Sequence, residues 1–144
     1  MDIGDLVSKG QLTRMAPAHD MAEKEWKESG SDLEEAEKEL GSKGYKWAII
    51  KAYYAMFHSA KAVLFLLGLK ERSHFAVGEM LGILSREGRL EASYVNDFKG
   101  AMSAREGADY HYAHDQRTAE EMVAMADGFA KRMRKLAGKL KKTG

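Results

Sequence analysis

The stretch that decides the fold is residues 45–67, YKWAIIKAYYAMFHSAKAVLFLL. Within this stretch, residues of similar character recur every three or four positions and form stripes, as is typical of an α-helix. One stripe is apolar and consists of Ile49, Tyr53, Met56, Ala60, Val63 and Leu67. A second is made mostly of small residues, namely Ala48, Ala52, Ala55, Ser59, Ala62 and Leu66. The third is polar and consists of Lys51, Tyr54, His58 and Lys61. Because small residues let a neighbouring helix approach closely, we expect a buried helix over about 45–68, ended by Gly68.

The preceding segment predicts another long helix, over about 19–40. Its stripe steps by four and three residues through Ala22, Trp26, Ser29, Leu33, Ala36 and Leu40. That register continues through Gly30, whose helical cost of ~1 kcal/mol can be offset by packing. A restart at Ser31, with Glu34 completing a capping box, is the alternative. Residues 41–44 then form the turn into the central helix.

Two more helices follow the central one. Ser73 is expected to cap a helix that ends near Glu87. Ser93 is expected to start the next helix, which reaches Gly107 or Tyr110. The buried residues of that helix are predicted to be Val95, Phe98 and Met102.

The last helix is predicted to open at Thr118, with Glu121 completing a capping box. No segment shows a convincing strand alternation. Short connections between amphipathic helices predict an all-α fold, an antiparallel up-and-down bundle of four long helices plus a shorter fifth. We expect residues 1–17 to form an N-terminal arm or short helix, and residues 18–144 to form a single helical-bundle domain.

Composition excludes several classes of protein. With 144 residues and no cysteine, the chain fits one domain without disulfides, zinc–thiolate sites or a cysteine nucleophile. No apolar run approaches the roughly 20 residues of a membrane span. The first residues also lack the basic start and apolar core of a signal peptide. We therefore expect a cytoplasmic protein with no membrane partner.

Charge is unevenly distributed, although the formal net charge is only +1. Residues 20–40 hold nine acidic and three basic residues, whereas residues 131–142 hold seven basic residues and no acidic one. The two segments could pair with each other, within a chain or across a dimer, or the basic one could meet phosphates. Two solvated helix faces are the simpler interpretation.

The stretch richest in chemistry is residues 103–115, SAREGADYHYAHD. Arg105 and Asp109 continue the apolar stripe that steps through residues 95, 98 and 102. A charge on a core face must be paired, and at i, i+4 these two residues can pair with each other. One interpretation is therefore an internal ion pair. The other is an arginine held against apolar surface, whose planar fork grips a phosphate.

Two histidines, His111 and His114, follow in a loop-like stretch. A histidine beside Arg105 would suit a site that cleaves phosphodiesters. The histidine would act as general acid or base, and the arginine would stabilise the negative charge that develops on the phosphate. A metal pair of His111 with His114 or Asp115 lacks a third fixed ligand, so we predict no metal and no cofactor. Exposed loop histidines without a role are the remaining alternative.

Two other histidines lie on helices. His58 shares the polar stripe with Tyr54 and is interpreted as a surface or helix-contact residue. His74 directly follows the Ser73 cap and could face the same end of the bundle. No phosphate-cradling glycine loop and no Ser-His-Asp order is present in the sequence.

Three segments resemble the HEPN family, whose name abbreviates higher eukaryotes and prokaryotes nucleotide-binding. AYYAMFH at 52–58 is the most specific of them, and SHF at 73–75 and REGADY at 105–110 follow in order. The resemblance is to small stand-alone prokaryotic, often archaeal, members and covers roughly residues 18–138. It implies an antiparallel helical bundle that commonly forms a homodimer.

The resemblance also implies a biological setting. Many HEPN proteins are encoded beside a minimal nucleotidyltransferase, and some such pairs are toxin–antitoxin systems with a metal-independent HEPN ribonuclease. The ribonuclease motif is Arg, four to six residues, then His, and two protomers bring their motifs together. Arg105 and His111, with five residues between them, match that spacing. His111 would then activate a ribose 2′-hydroxyl, and Arg105 would stabilise the charge on the phosphorus centre.

The local pattern also fits another branch of the family. Asn usually follows the arginine in the toxins, whereas Glu106 does so here. In the toxins a Tyr stands two places after the His, whereas Tyr112 directly follows His111. A branch with Arg-x-x-Ala-Asp-Tyr, in which the catalytic histidine is often absent, matches better.

Three functions therefore stay open. The first is a dimeric module of a toxin–antitoxin-type or nucleotidyltransferase-partnered system, which binds a nucleotide, a partner protein or both. Its candidate binding residues are Asp109, Tyr110, His74, Tyr54, His58 and His114. The second is a metal-independent ribonuclease acting on RNA through Arg105 and His111. The third is a purely structural interaction domain, in which Arg105 and Asp109 form an internal brace.

Overall fold

The computed structural model describes residues 1–143, and their side chains up to residue 140. It confirms the all-α prediction, with one very small sheet added. In chain order the elements are α1 (Ile3–Ser8), β1 (Leu12–Arg14), α2 (His19–Gly41), α3 (Tyr45–Leu66), β2 (Leu69–Glu71), α4 (His74–Arg86), α5 (Ala92–Tyr110) and α6 (Gln116–Thr143). None of the helices in the described part of the chain is long and apolar enough to span a membrane.

Helix α3 lies at the centre of the bundle. Helices α2, α4, α5 and α6 all contact it. Its predicted apolar and small-residue stripes are both buried, apart from Leu66 and Leu67 at their last turn. The small residues let two long helices, α2 and α6, approach α3 closely, and the larger side chains fill the core between the helices.

Helix α2 runs through Gly30 without a break, so the restart at Ser31 does not occur. Ser29, one residue earlier, is buried against α3 and donates a hydrogen bond of 2.7 Å to the carbonyl oxygen of Ala55. Trp26 is buried one turn before it. The packing of the turn before Gly30 thus offsets the intrinsic helical cost of a glycine.

The predicted cap of α4 is confirmed, since the Ser73 hydroxyl accepts a hydrogen bond of 3.1 Å from the N–H of Ala76. Helix α5 begins at Ala92, one residue before the predicted Ser93, and reaches Tyr110. Differences of one residue at a helix start are within the fraying of helix ends.

The predicted start of the last helix at Thr118 is wrong. Helix α6 begins at Gln116, and the Asp115 carboxylate accepts a hydrogen bond of 2.7 Å from the N–H of Thr118. Asp115 therefore occupies the capping position three residues earlier. Glu121 does not complete a capping box, because its carboxylate pairs with Arg117 at 3.1 Å.

The two strands were not predicted. They pair antiparallel over three residues each, with Leu12 opposite Glu71, and three residues are too few to show an alternation. Gly68, just before β2, has a φ of +75°, and a Cβ there would lie 2.6 Å from the Met15 carbonyl oxygen. Only glycine lets the N-terminal segment come this close to the end of α3.

The N-terminal segment contributes to the core of the bundle. Leu6 of α1 and Leu12 of β1 are buried in the same apolar cluster as the residues of α3. An Asp2–Asp5 capping box begins α1. Residues 1–17 therefore form a helix and a strand that cover one end of α3 and α4.

Local pairs balance part of the uneven charge. Three acidic residues of α2 pair with lysines of α3: Glu25 with Lys61, and Asp32 and Glu35 with Lys51. In the basic segment, Arg132 pairs with Glu91, and Arg134 lies 4.5 Å above the Trp26 ring. The side chains of residues 141–142, which belong to that segment, lie outside the described residues.

Candidate functional site

Arg105 lies against an aromatic surface built by α3. Its guanidinium carbon is 5.6 Å from the ring centre of Tyr53 and 6.0 Å from that of Tyr54, and its side chain is only 17 % exposed. Because the apolar stripe of α5 faces α3 through Phe98, the next steps of that stripe carry Arg105 onto the same surface. A guanidinium packed against rings in this way is weakly hydrated and oriented before any ligand arrives.

The predicted partner, Asp109, holds Arg105 only loosely. The shortest distance, from a terminal guanidinium nitrogen to Asp109 Oδ2, is 3.7 Å, longer than a charge-assisted hydrogen bond of ~2.8 Å. Asp109 is 33 % exposed, so water can solvate its carboxylate. The Nε of Arg105 is buried and has no hydrogen-bond partner within the described part of the chain. The hydrogen-bonding capacity of Arg105 is therefore largely unused.

His74 lies on the same two tyrosines. Its Nδ1 is 2.6 Å from the Tyr53 hydroxyl, and its ring stacks on Phe57 at 4.1 Å between centres. It also meets Tyr54 edge-on. Helix α4 begins at this residue, so the Ser73 cap fixes where the imidazole enters the cluster.

The protonation states at this cluster follow from burial. Burial, together with the positive charges of Arg105, Lys61 and His58, lowers the pKa of His74. Burial also raises the pKa of the Tyr53 phenol well above its usual range. At neutral pH the imidazole is thus uncharged and the phenol protonated. We assign the Tyr53 O–H as donor to Nδ1, which puts the imidazole proton on Nε2.

His58 belongs to a different group of charges, between α2 and α3. Its Nδ1 is 2.5 Å from Glu25 Oε2, and its Nε2 is 3.6 Å from Asp32 Oδ2. Although burial opposes it, the hydrogen bond with His58 and the charge of Lys61 lower the pKa of Glu25. His58 approaches the aromatic cluster only through its ring contacts with Tyr54 and Phe57.

The remaining predicted residues lie at the end of α5 or just beyond it. Tyr110 and His111 are exposed, and His114 is half-buried in the loop before α6. Among the described residues, no hydrogen bond, ion pair or ring contact joins these side chains to Arg105. His111 is six residues after Arg105, which at ~100° per residue turns it about 120° away around α5. Within one chain, therefore, Arg105 shares its contacts with Tyr53 and Tyr54 with His74 and not with His111.

Sequence reasoning missed Tyr53 and Phe57 as members of the site. Tyr53 was assigned to the apolar stripe, where it does lie, but its hydroxyl is satisfied by His74 from another helix. The available signal was that a buried tyrosine needs a partner for its hydroxyl. Nothing in the local sequence identifies that partner.

Comparisons with known proteins agree with this architecture. The model of the family described as HEPN domain matches residues 22–136. A Methanocaldococcus jannaschii protein named "Putative toxin MJ0605" is 36 % identical over 98 residues, which are 65 % of this chain and 72 % of that protein. A Pyrococcus horikoshii protein named "UPF0332 protein PH1297" is 43 % identical over 49 residues, 33 % of this chain and 34 % of that protein. The matched residues include all of α3, α4 and α5, which build the Arg105 cluster, and the chain belongs to the HEPN domain family.

Proposed function

We propose that the chain is the HEPN component of a toxin-type, two-component system, and that it binds the phosphate of a nucleotide through Arg105. The family match and the relative named "Putative toxin MJ0605" support the first part. The geometry of Arg105 supports the second. Following the resemblance, we further propose that the chain forms a homodimer in the cytoplasm and pairs with a minimal nucleotidyltransferase.

One observation carries the nucleotide proposal. The Arg105 guanidinium is fixed on Tyr53 and Tyr54, yet its only described charge partner is 3.7 Å away. An oriented guanidinium with unused donors can donate two hydrogen bonds to a phosphate with little further loss of side-chain entropy. An internal brace would instead have closed the pair with Asp109 to hydrogen-bond distance.

The surrounding charges favour a small phosphate ligand over a long RNA strand. Glu106 is exposed beside Arg105, and Asp109 is partly exposed one turn along. Two carboxylates this close repel a long polyanion more strongly than a small phosphate ligand. The uncharged His74, with its proton on Nε2, adds a neutral donor near the same rings.

The proposal is tested by calorimetric titration of adenosine and guanosine mono-, di- and triphosphates into the wild type and two variants. Arg105→Ala removes the guanidinium that is proposed to bind phosphate. The control, Arg117→Ala, removes an arginine on α6 whose side chain is 90 % exposed. We expect at least one nucleotide to bind, and Arg105→Ala to bind it about tenfold to a hundredfold more weakly, as for loss of hydrogen bonds to a charged group. Arg117→Ala should bind as the wild type does. If no nucleotide binds, or if both variants lose affinity equally, the proposal is wrong.

A second function, metal-independent RNA cleavage, is favoured by the position of His111. It is exposed at the end of α5, six residues after Arg105, where a second copy of the chain could bring it against the partner's guanidinium. The test is cleavage of total RNA with EDTA present, by the wild type, Arg105→Ala and His111→Ala. Ribonuclease function requires that both variants lose activity. An unchanged rate in either one excludes this pair as the catalytic centre.

A further inference from the structure

A second cluster of charge lies between α2 and α3, outside the Arg105 site. Two lysines, Lys51 and Lys61, face five carboxylates there, so the cluster carries an excess of three negative charges when His58 is neutral. Four of the carboxylates belong to α2, namely Glu25, Glu28, Asp32 and Glu35, and the fifth is Glu71 at the end of β2. Glu28 and Glu35 are exposed and solvated, whereas Asp32 is largely buried, so a cation bound beside Asp32 would offset part of this excess.

His58 is oriented within this cluster as a ligand would be. We assign the proton of the neutral imidazole to Nδ1, which lies 2.5 Å from Glu25 Oε2, because a carboxylate can only accept; this leaves the lone pair on Nε2. That nitrogen faces Asp32 Oδ2 at 3.6 Å, too far for a hydrogen bond. A carboxylate behind Nδ1 with an open Nε2 in front is the arrangement that fixes metal-binding histidines in proteins.

Two carboxylates of α2 lie close to the His58 imidazole. One atom each from Glu28, Asp32 and His58 lie within 4.8 Å of one another. Glu28 and Asp32 are one turn apart on α2, so they share a face, and His58 meets them from α3. For bonds of 2.0–2.1 Å, the edge of a tetrahedral zinc site is ~3.4 Å, close to the 3.6 Å between His58 and Asp32.

The site is also partly shielded yet accessible. The side chains of Asp32 and His58 are 14 % and 21 % exposed, whereas Glu28 is exposed and can turn toward the other two. One imidazole nitrogen with two carboxylates suits zinc better than magnesium or calcium, which prefer oxygen ligands alone. Three protein ligands leave a fourth position for water.

From this geometry we propose that Glu28, Asp32 and His58 bind one Zn²⁺ per chain, with Glu25 holding His58 in its binding orientation. The bound ion ties α2 to α3 and offsets the excess negative charge between them. This site is separate from Arg105, and neither proposal depends on the other.

The experiment is titration of Zn²⁺ into the full chain after treatment with EDTA and dialysis. We expect saturation at one ion per chain, and binding at least tenfold weaker in both His58→Gln and Asp32→Asn. Loss of the carboxylate behind the ligand, in Glu25→Gln, should weaken binding about tenfold to a hundredfold. The matched control is His19→Gln, which removes an exposed histidine at the start of α2 and should bind Zn²⁺ as the wild type does.

Two further readouts guard against a folding effect. Glu28→Gln changes an exposed side chain, so it should keep the helical circular dichroism of the wild type while still weakening binding at least tenfold. Cobalt(II), used in place of zinc, should give visible absorption bands with the wild type that His58→Gln abolishes. The proposal is overturned if binding does not saturate at one ion. It is also overturned if His19→Gln lowers the affinity as much as His58→Gln does, or if Glu28→Gln leaves it unchanged.

Discussion

Replacing Arg105 with alanine separates a binding arginine from a structural one. If Arg105 and Asp109 were a closed, buried pair, removing the arginine would strand a buried carboxylate and cost ~3–5 kcal/mol of the free energy of unfolding. The structure predicts far less, because the pair is open at 3.7 Å and Asp109 is 33 % exposed. Water can solvate the carboxylate that the substitution leaves behind.

The magnitude can be built from the individual contacts. A partly exposed ion pair contributes ~0.5–1 kcal/mol, and each of the two ring contacts, with Tyr53 and Tyr54, contributes ~0.5–1 kcal/mol. Removing Arg105 also removes its buried, unpartnered Nε–H, whose desolvation costs ~1–3 kcal/mol, so part of the loss is offset. We therefore expect Arg105→Ala to lower the free energy of unfolding by only ~1 kcal/mol.

Urea unfolding at neutral pH measures this directly. With a slope of ~1–3 kcal/mol per molar urea, a loss of this size moves the midpoint by less than about 1 M. Arg117→Ala, which removes an exposed arginine on α6, should change the free energy of unfolding by less than ~0.5 kcal/mol. A loss above ~3 kcal/mol in Arg105→Ala would refute the reasoning and make Arg105 an internal brace.

Three other predictions concern the fold. Gly68→Ala should lower the free energy of unfolding, measured in urea, by at least ~2 kcal/mol, because both its positive φ and a nearby backbone carbonyl oppose a Cβ. Gly10→Ala, with a similar positive φ but open space around it, should lower it by only ~1 kcal/mol. Equal losses in the two variants would contradict this. Asp115→Ala should cost ~1 kcal/mol as loss of a helix cap, and more than Thr118→Ala, a ranking that the reverse order would disprove. The lowered pKa of His74 means that the native state binds fewer protons than the unfolded state. The contribution of His74 to the free energy of unfolding should therefore be fully present above the unfolded pKa of ~6.5 and be lost as the pH drops below it. In His74→Gln the free energy of unfolding should depend less on pH in this range. An identical pH profile in the variant would contradict the assignment.

The helices were predictable because each repeats its apolar residues over several turns. The stripes of α3 and the register of α2 through Gly30 extend over six or more positions, so a single unfavourable residue does not hide them. The strands around Leu12 and Leu69 span three residues each and owe their pairing to the end of α3. Such short elements leave no periodic signal in the sequence.

The start of α6 shows where local rules fail to decide. Both Asp115 and Thr118 are good capping residues, and Thr118 has a glutamate three residues later, which favoured it. In the structure Asp115 caps the N–H of Thr118 itself. A cap one turn earlier lengthens α6 by about one turn, and the stabilisation from that turn outweighs the stabilisation that a capping box at Thr118 and Glu121 would give.

The candidate site was predictable only in part. The step of the α5 stripe placed Arg105 and Asp109 together, since residues at i, i+4 are neighbours on any helix. The contacts of Arg105 with Tyr53 and of Tyr53 with His74 join three helices. Their existence depends on how α3, α4 and α5 cross, which no local pattern in this sequence specifies. The same holds for His58 and the acidic residues that face it from α2.

The most direct test of the central claim is the phosphorus-31 spectrum of a bound nucleotide. A nucleoside triphosphate is titrated with the wild type, Arg105→Ala and Arg117→Ala, with EDTA present so that only protein groups meet the phosphates. The account predicts that the phosphate resonances shift or broaden with the wild type and Arg117→Ala and stay unchanged with Arg105→Ala. Identical spectra with the wild type and Arg105→Ala would contradict it.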